Sequence, residues 1–239
     1  MEYQLIFFRV LLDALNGVCS VTYYSSSIPI LLFSLPFDFV IFTGLIGENF
    51  MEMRGFLAAI IAIERALAAT FPLAFYKWRN RISNIPIFIF LLATAILVEV
   101  VLFGFCDFRF PVPTGCNNVV CAVPSSYYAY AVATKQIYSS TNALFSAILC
   151  YKLLKKSNSK NMSRDFRKAN WLSLTDGLST LLFEMLPMLI FNSGLISFKN
   201  QGPVLGSFRQ VSRAVEAVVM VMLMKKEAVV DARASVVVY

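Results

Sequence analysis

Histidine is absent from the 239 residues of the chain, and its absence removes several kinds of chemistry. Without an imidazole there is no His-ligated zinc site, no Ser-His-Asp triad and no histidine pH switch. The five cysteines form no Cys-x-x-Cys pair, so zinc-ribbon and thioredoxin-like spacings are missing too. No Gly-x-Ser-x-Gly sequence occurs either. The sequence therefore predicts a protein that is not an enzyme and has no metal and no cofactor.

Charge is also scarce. Charged residues make up 15% of the chain, against about 25% in ordinary soluble domains, while 58% of the residues are hydrophobic. The mean hydropathy is +0.69. A folded chain of this size cannot hide so much apolar surface from water, so lipid must cover the excess. With 22 Phe and 10 Tyr, disorder is excluded as well. We expect an all-α, polytopic membrane helix bundle.

Six apolar segments are long enough to cross about 30 Å of hydrocarbon, which takes roughly 20 residues. They form a predicted transmembrane bundle over residues 1–226, followed by a tail over 227–239. The predicted spans are approximately 3–28, 38–67, 85–105, 127–151, 171–192 and 205–224. Because the first segment begins Met-Glu and carries Arg9 and Asp13, we interpret it as a span and not as a cleaved signal.

The basic residues predict the orientation. Of the 21 Lys and Arg residues, thirteen lie in the connections 72–84 and 152–170 and after the last span, in residues 225–239, and two lie in the alternate loops. Positive charge marks the cytosolic side, so both termini are predicted to be cytosolic. The net charge of +7 then reflects topology, and we expect no nucleic-acid partner. The sequon at Asn161 falls on the cytosolic side and should remain unmodified.

The outer loop 106–126 holds three cysteines: Cys106, Cys116 and Cys121. Its compartment permits disulfides, so these residues are candidates for a bridge. Three single pairings are possible and the sequence does not choose among them. Free thiols are the alternative.

Two pairs of charged residues lie inside the predicted spans, where charge is costly and needs a partner or a cavity. Arg9 and Asp13 are four residues apart and can form an ion pair on one helix face. The alternative is an internal ion or switch site at Asp13. Glu48 and Glu52 also share a face, and two such carboxylates repel each other. They can line a polar cavity or pair with one of three arginines: Arg9, Arg209 and Arg213.

The stretch from residue 61 to 79 is the most informative. An apolar helix ends in Glu64-Arg65 at the predicted cytosolic edge, and Pro72 then breaks it, followed by Tyr76 and Arg79. Glu64 can neutralise Arg65 at rest, and Arg65 can exchange that partner for a backbone group of a bound cytosolic protein. A Glu-Arg pair alone often marks only the end of a helix whose side chains snorkel to the interface.

With Ala-x-x-Phe-Pro-Leu-x-Phe-Tyr after that pair, the chain resembles nematode serpentine chemoreceptors, which are seven-span G-protein-coupled receptors of sensory neurons. Class BC is the most similar class. Three further stretches carry the resemblance: Phe7-Phe8-Arg9-Val-Leu-Leu-Asp13, Cys116 to Tyr130, and Ala169 to Asp176 with Phe183-Glu-Met-Leu-Pro187. The resemblance covers about residues 5 to 225 and makes the six spans the second to seventh of the family. The first span is expected to be missing, as in a truncated gene product or a short isoform.

The resemblance implies a plasma-membrane receptor in sensory neurons, with a small odorant or pheromone-like ligand and a heterotrimeric G protein as partners. The segment from Glu64 to Arg79 would contact the G protein. Pro187 would kink the fifth span present and let its cytosolic half pivot. By depth, the ligand candidates in the outer half are Phe42, Tyr127, Tyr128, Tyr130, Phe191 and Arg209. Two rhodopsin-like features are missing: a cysteine near Asp38 and an Asn-Pro-x-x-Tyr motif.

The residues themselves leave two alternative functions open. A small-solute transporter or channel would explain the many charges inside the spans: Arg9, Asp13, Glu48, Glu52, Glu99, Asp176, Glu184, Arg209, Arg213 and Glu216. However, no repeat and only one clear mid-span proline accompany them. The other alternative is an inactive truncated receptor fragment, because six spans of a seven-span bundle leave a packing face bare.

Overall fold

The computed structural model describes residues 2–33, 38–79, 82–111, 119–156, 174–175, 177–192, 210–212, 214–215, 218 and 222. Over these residues the chain is helical and contains no strand, as expected for a serpentine helix bundle. The predicted segments 171–192 and 205–224 lie partly outside the described residues, so their full extent stays a prediction.

The first three helices cover the first two predicted spans and the connection after them. α1 runs over Glu2–Phe33 and α2 over Asp38–Thr70. Asp38 lies in the first turn of α2, where a negative charge is favourable near the N-terminal end of a helix. α3, Pro72–Arg79, follows a bend at Phe71. Its first-turn proline and its basic last turn are both typical of helix ends.

α4 covers Ile85–Glu99 and continues directly into a π-helical segment, Val100–Phe105. Together they occupy the residues of the third predicted span. The backbone N–H of Cys106 donates to the Val101 carbonyl at 3.0 Å, a bond across five residues. A short helix, α5, spans Val119–Ala122, and the long α6 spans Ser125–Lys156.

A second π-helical segment, Leu181–Met185, precedes α7, Leu186–Asn192. Pro187 is the second residue of α7, and its side chain is buried. Proline has no N–H to donate, and its ring collides with the carbonyl four residues earlier in a regular α-helix. The wider turn directly before it, in which the Leu186 N–H donates to the Leu181 carbonyl, relieves that collision.

The described chain divides into two compact units. Unit 1 comprises Met1–Ile61 and Phe71–Thr141, and unit 2 comprises Ala62–Thr70 and Asn142–Tyr239. Unit 1 has two apolar clusters. We call them the Tyr127 cluster (Ile41, Leu45, Val98, Leu102, Phe108 and Tyr127) and the Leu57 cluster (Leu5, Leu12, Leu57, Ile61 and Leu91).

Small polar residues pack the described part of unit 2. The Asn142 side-chain amide donates to the Thr180 hydroxyl at 3.2 Å, and the hydroxyls of Ser179 and Ser212 lie 2.6 Å apart. A Cβ added at Gly177 would collide with Ser146, so the helix carrying Gly177 approaches α6 closely. Small residues and interhelical hydrogen bonds of this kind hold helices together where lipid, and not water, surrounds them.

Among the residues that the structure describes, two helical stretches have the length and apolar composition of membrane spans: Gln4–Ser26, with a mean hydropathy of 1.6, and Ile85–Phe105, with 2.7. The number of six spans therefore stays a prediction. Only 17% of the second stretch is buried within the protein. Ile89, Leu92 and Ile96 are among its exposed residues. A core helix of a soluble protein would bury these side chains, so their outward position fits a surface in contact with lipid.

Candidate functional site

An ion pair joins α1 and α2 inside unit 1. Arg54 donates from Nε to Oδ1 of Asp13 at 2.6 Å, and the Arg54 side chain is almost completely buried. Arg9 and Asn16, on the same helix as Asp13, are buried as well. Asp13 was predicted to pair with Arg9 on the same face of α1, and the structure adds Arg54 as a partner from the next helix.

A second ion pair joins α2 and α6. The ammonium of Lys135 lies 2.5 Å from Oε2 of Glu48. The Lys135 side chain is largely buried, whereas the Glu48 side chain is partly accessible. Sequence reasoning did not single out Lys135. A lone lysine near the middle of a predicted span was the signal available, since such a charge requires a counter-ion.

Two further polar contacts extend this arrangement. The Thr134 hydroxyl lies 3.2 Å from Oε1 of Glu52, and the Asn49 amide donates to the Glu99 carboxylate. Glu48 and Glu52 are one turn apart on α2, and their partners on α6 are adjacent in sequence. We call the six residues Glu48, Asn49, Glu52, Glu99, Thr134 and Lys135 the polar cluster. It links α2, α4 and α6 within unit 1.

The polar cluster lies close to two of the aromatic ligand candidates. Tyr127 is buried in the Tyr127 cluster, and Tyr130 packs at the edge of that cluster, with the two ring centroids 6.3 Å apart. The Thr134 hydroxyl, which contacts Glu52, also lies 3.1 Å from the backbone carbonyl of Tyr130. The aromatic edge of the Tyr127 cluster is therefore next to the polar cluster.

The other ligand candidates lie elsewhere or outside the described residues. Tyr128 is half-buried, and Phe42 is 51% exposed. Phe191 lies in α7, but its side chain is not described, and Arg209 is outside the described residues. The structure therefore brings Tyr127 and Tyr130 together, and the roles of the remaining four stay predictions.

The residues predicted for the cytosolic site lie on α2 and α3, in two different units. Arg65 lies in unit 2, is 6% exposed and follows a half-buried Glu64. Pro72 starts α3, and the side chain of Tyr76 is not described. Arg79 belongs to unit 1, where its buried guanidinium donates from Nη1 to the Ile82 carbonyl at 3.0 Å.

The structure describes only some of the residues named in the disulfide and helix-kink predictions. The Cys106 thiol is free, Cys116 lies outside the described residues, and the side chain of Cys121 is not described. The disulfide therefore stays a prediction. The side chain of Glu184, three residues before Pro187, is not described either. Within the described residues, no group of three or more His, Cys, Asp or Glu side chains is arranged to hold a metal ion.

The comparisons with known proteins agree with this architecture. A family model described as "Serpentine type 7TM GPCR chemoreceptor Srbc" matches residues 1–228. No curated protein and no solved structure shows a significant match. The matched region contains every described helix and the residues of both candidate sites. With nearly the whole length matched, the chain belongs to the Srbc family of serpentine G-protein-coupled chemoreceptors, which are multi-pass membrane proteins.

Proposed function

We propose that this chain is a chemosensory receptor that binds a small organic ligand in its outer half and signals through a cytosolic G protein. The observation that carries the proposal is the family match over residues 1–228. The two apolar helical stretches, with their outward-facing side chains, support a position in the membrane.

The ligand site that the geometry supports best lies beside Tyr127 and Tyr130, against the polar cluster. Ligand pockets combine apolar and aromatic walls with a few placed polar groups. Here Tyr130 adjoins the polar cluster through its carbonyl, which lies 3.1 Å from the Thr134 hydroxyl, and the carboxylate is the more accessible partner of the Glu48–Lys135 pair. A ligand that interacts with Glu48 differently in two arrangements of α2 and α6 would shift the population between them.

α2 supplies a direct connection to the cytosolic side. This one continuous helix, Asp38–Thr70, carries both Glu52 and Arg65. In this proposal, ligand binding at the polar cluster shifts the population of two arrangements of α2, and Arg65 lies further along the same helix. Arg65 would then bind the G protein.

The test replaces Arg65 and measures guanine-nucleotide exchange. The full chain is expressed with a heterotrimeric G protein and exposed to a panel of small volatile organic compounds. We expect Arg65→Ala to reduce exchange to the level of membranes without receptor, while the amount of protein in the membrane stays similar.

The matched control is Lys155→Ala, which removes a positive charge from an exposed position on the same predicted side. It should leave exchange unchanged. If the Arg65→Ala variant stimulated nucleotide exchange on the G protein as strongly as the unaltered chain, Arg65 would have no role in coupling. The proposed receptor mechanism would then fail.

A further inference from the structure

A groove of about 610 Å³ lies within unit 1 between the beginning of α1 and the beginning of α4. Its walls are apolar and largely aromatic: Phe7 and Phe8 from α1, and Ile85 and Phe88 from α4. The rings of Phe8 and Phe88 meet edge to face, with centroids 4.8 Å apart, and form part of the wall. Phe7 and Ile85 are strongly exposed. The groove is thus open toward the surroundings of the helices.

One end of the groove is polar and ordered by hydrogen bonds. The Asn84 amide donates to Oε1 of Gln4 at 2.9 Å, and the Arg79 guanidinium donates to Oδ1 of Asn84. Ser83, which also lines this end, accepts a bond from the Ile85 N–H at 3.1 Å. Side-chain contacts therefore connect α1, the start of α4 and the end of α3 at a single point.

The groove has an apolar part between the two helices and a polar part at its end. Both helices that form it belong to the two stretches with span-like composition, so its aromatic walls are expected to face acyl chains in a bilayer. Trp78 of α3 is exposed near the polar end, as is typical at the membrane–water boundary. The segment 72–84 holds three basic residues, Lys77, Arg79 and Arg81, and no acidic one. The residues that line the groove are all uncharged, and Arg79 reaches its polar end through the bond to Asn84.

We propose that this groove binds an anionic phospholipid, with one acyl chain between α1 and α4 and the phosphate at the polar end. An apolar slot whose hydrogen-bonding end includes Asn84, the partner of Arg79, matches the two parts of such a lipid. Basic sites between spans on the cytosolic side attract anionic head groups, and each nearby Lys or Arg contributes about 1 kcal/mol. The proposal goes beyond the receptor function, and it requires that α1 and α4 lie in a bilayer with the segment 72–84 on the cytosolic side.

The first test asks whether the groove holds the lipid. The full chain is placed in nanodiscs of phosphatidylcholine and phosphatidylserine in equal amounts, released, and examined for retained lipid by native mass spectrometry. We expect retained phosphatidylserine from the unaltered chain and a loss of about tenfold in Ile85→Trp, because the larger side chain fills the groove. Ile89→Trp is the matched control. It is on the same helix, is 61% exposed against 62% for Ile85, and does not line the groove.

The second test concerns charge. Lys77→Gln should lower the preference for phosphatidylserine over phosphatidylcholine about fivefold, the equivalent of ~1 kcal/mol. Lys155→Gln, an exposed lysine on α6, should leave that preference unchanged. Equal retention of both phospholipids would overturn the proposal. So would equal loss in the two tryptophan variants, or displacement of the phospholipid by added sterol. None of these readouts depends on G-protein coupling.

Discussion

At the scale of single residues, the chain places several charged side chains where lipid and other helices surround them. Arg54 is the clearest case, because its guanidinium is buried and donates to Asp13, which lies on another helix. An ion pair of this kind costs desolvation and repays it only while both partners are present. Removing one partner should therefore be worse than removing both.

Asp13→Asn tests this expectation. The substitution keeps the shape of the side chain and removes its charge, leaving Arg54 buried without its carboxylate. We expect a loss of about 3 kcal/mol of stability, seen as a lower melting temperature of the purified chain in detergent. The double variant Asp13→Leu with Arg54→Met should lose clearly less stability than the sum of the losses in Asp13→Leu alone and Arg54→Met alone. Additive losses would show that the two side chains are not coupled.

The polar cluster shows how far residue-level prediction reaches. The spacing of Glu48 and Glu52 predicted that both point to one side of α2, because residues four apart share a helix face. Their partners Lys135 and Thr134 did not follow from the sequence. Which side of α6 faces α2 depends on the rotation of α6, and polar residues are spread around that helix, as in Ser139, Ser140 and Asn142. The facing side was therefore not readable from the pattern.

At the scale of helices, two glycines differ in how closely another helix approaches them. A Cβ added at Gly55 of α2 would lie 2.5 Å from the ring of Tyr138 on α6, whereas a Cβ at Gly17 of α1 would meet nothing within 4 Å. Gly55 therefore permits α2 and α6 to approach, and Gly17 has no such role.

The two alanine substitutions should accordingly change stability in opposite directions. Gly55→Ala forces the Tyr138 ring to move and should cost about 1–3 kcal/mol. Gly17→Ala removes backbone freedom from the unfolded chain and should gain ~0.5–1 kcal/mol. Thermal denaturation of both variants in the same detergent measures the difference. A stabilising Gly55→Ala would mean that the contact between the two helices is looser than described.

Helices were the most predictable elements, and their internal irregularities were the least. Long apolar runs indicate helices in a membrane protein because lipid cannot satisfy backbone polar groups. Pro72 marked the bend between α2 and α3, since proline restricts the residue before it. The π-helical segment at Val100–Phe105 contains no proline and is uniformly apolar. Nothing in its sequence distinguishes a five-residue hydrogen-bond pattern from the usual one.

At the scale of the whole molecule, sidedness is the property that every functional role here depends on. The excess of Lys and Arg in alternate connections predicts that Arg109 is outside and Lys155 is inside. Both positions are exposed in the structure. They therefore offer matched sites for chemical labelling.

Arg109→Cys and Lys155→Cys test that orientation with a membrane-impermeant thiol reagent, compared with the unaltered chain as background. We expect additional labelling of Arg109→Cys on intact cells. Lys155→Cys should react only after the membrane has been permeabilised. The reverse pattern would invert the proposed topology, and with it the assignment of Arg65 to the cytosolic side.

The π-helical segment that ends α4 has a consequence for how the chain is compared with its relatives. A turn bonded across five residues holds one residue more than an α-helical turn, so the segment is equivalent to a one-residue insertion within a helix. Every side chain beyond it is displaced by one angular step, about 100° around the axis. Relatives that lack this turn should therefore align with a single gap between Val100 and Phe105, and an ungapped alignment would match Phe103 and Phe105 with residues on the wrong face of the helix.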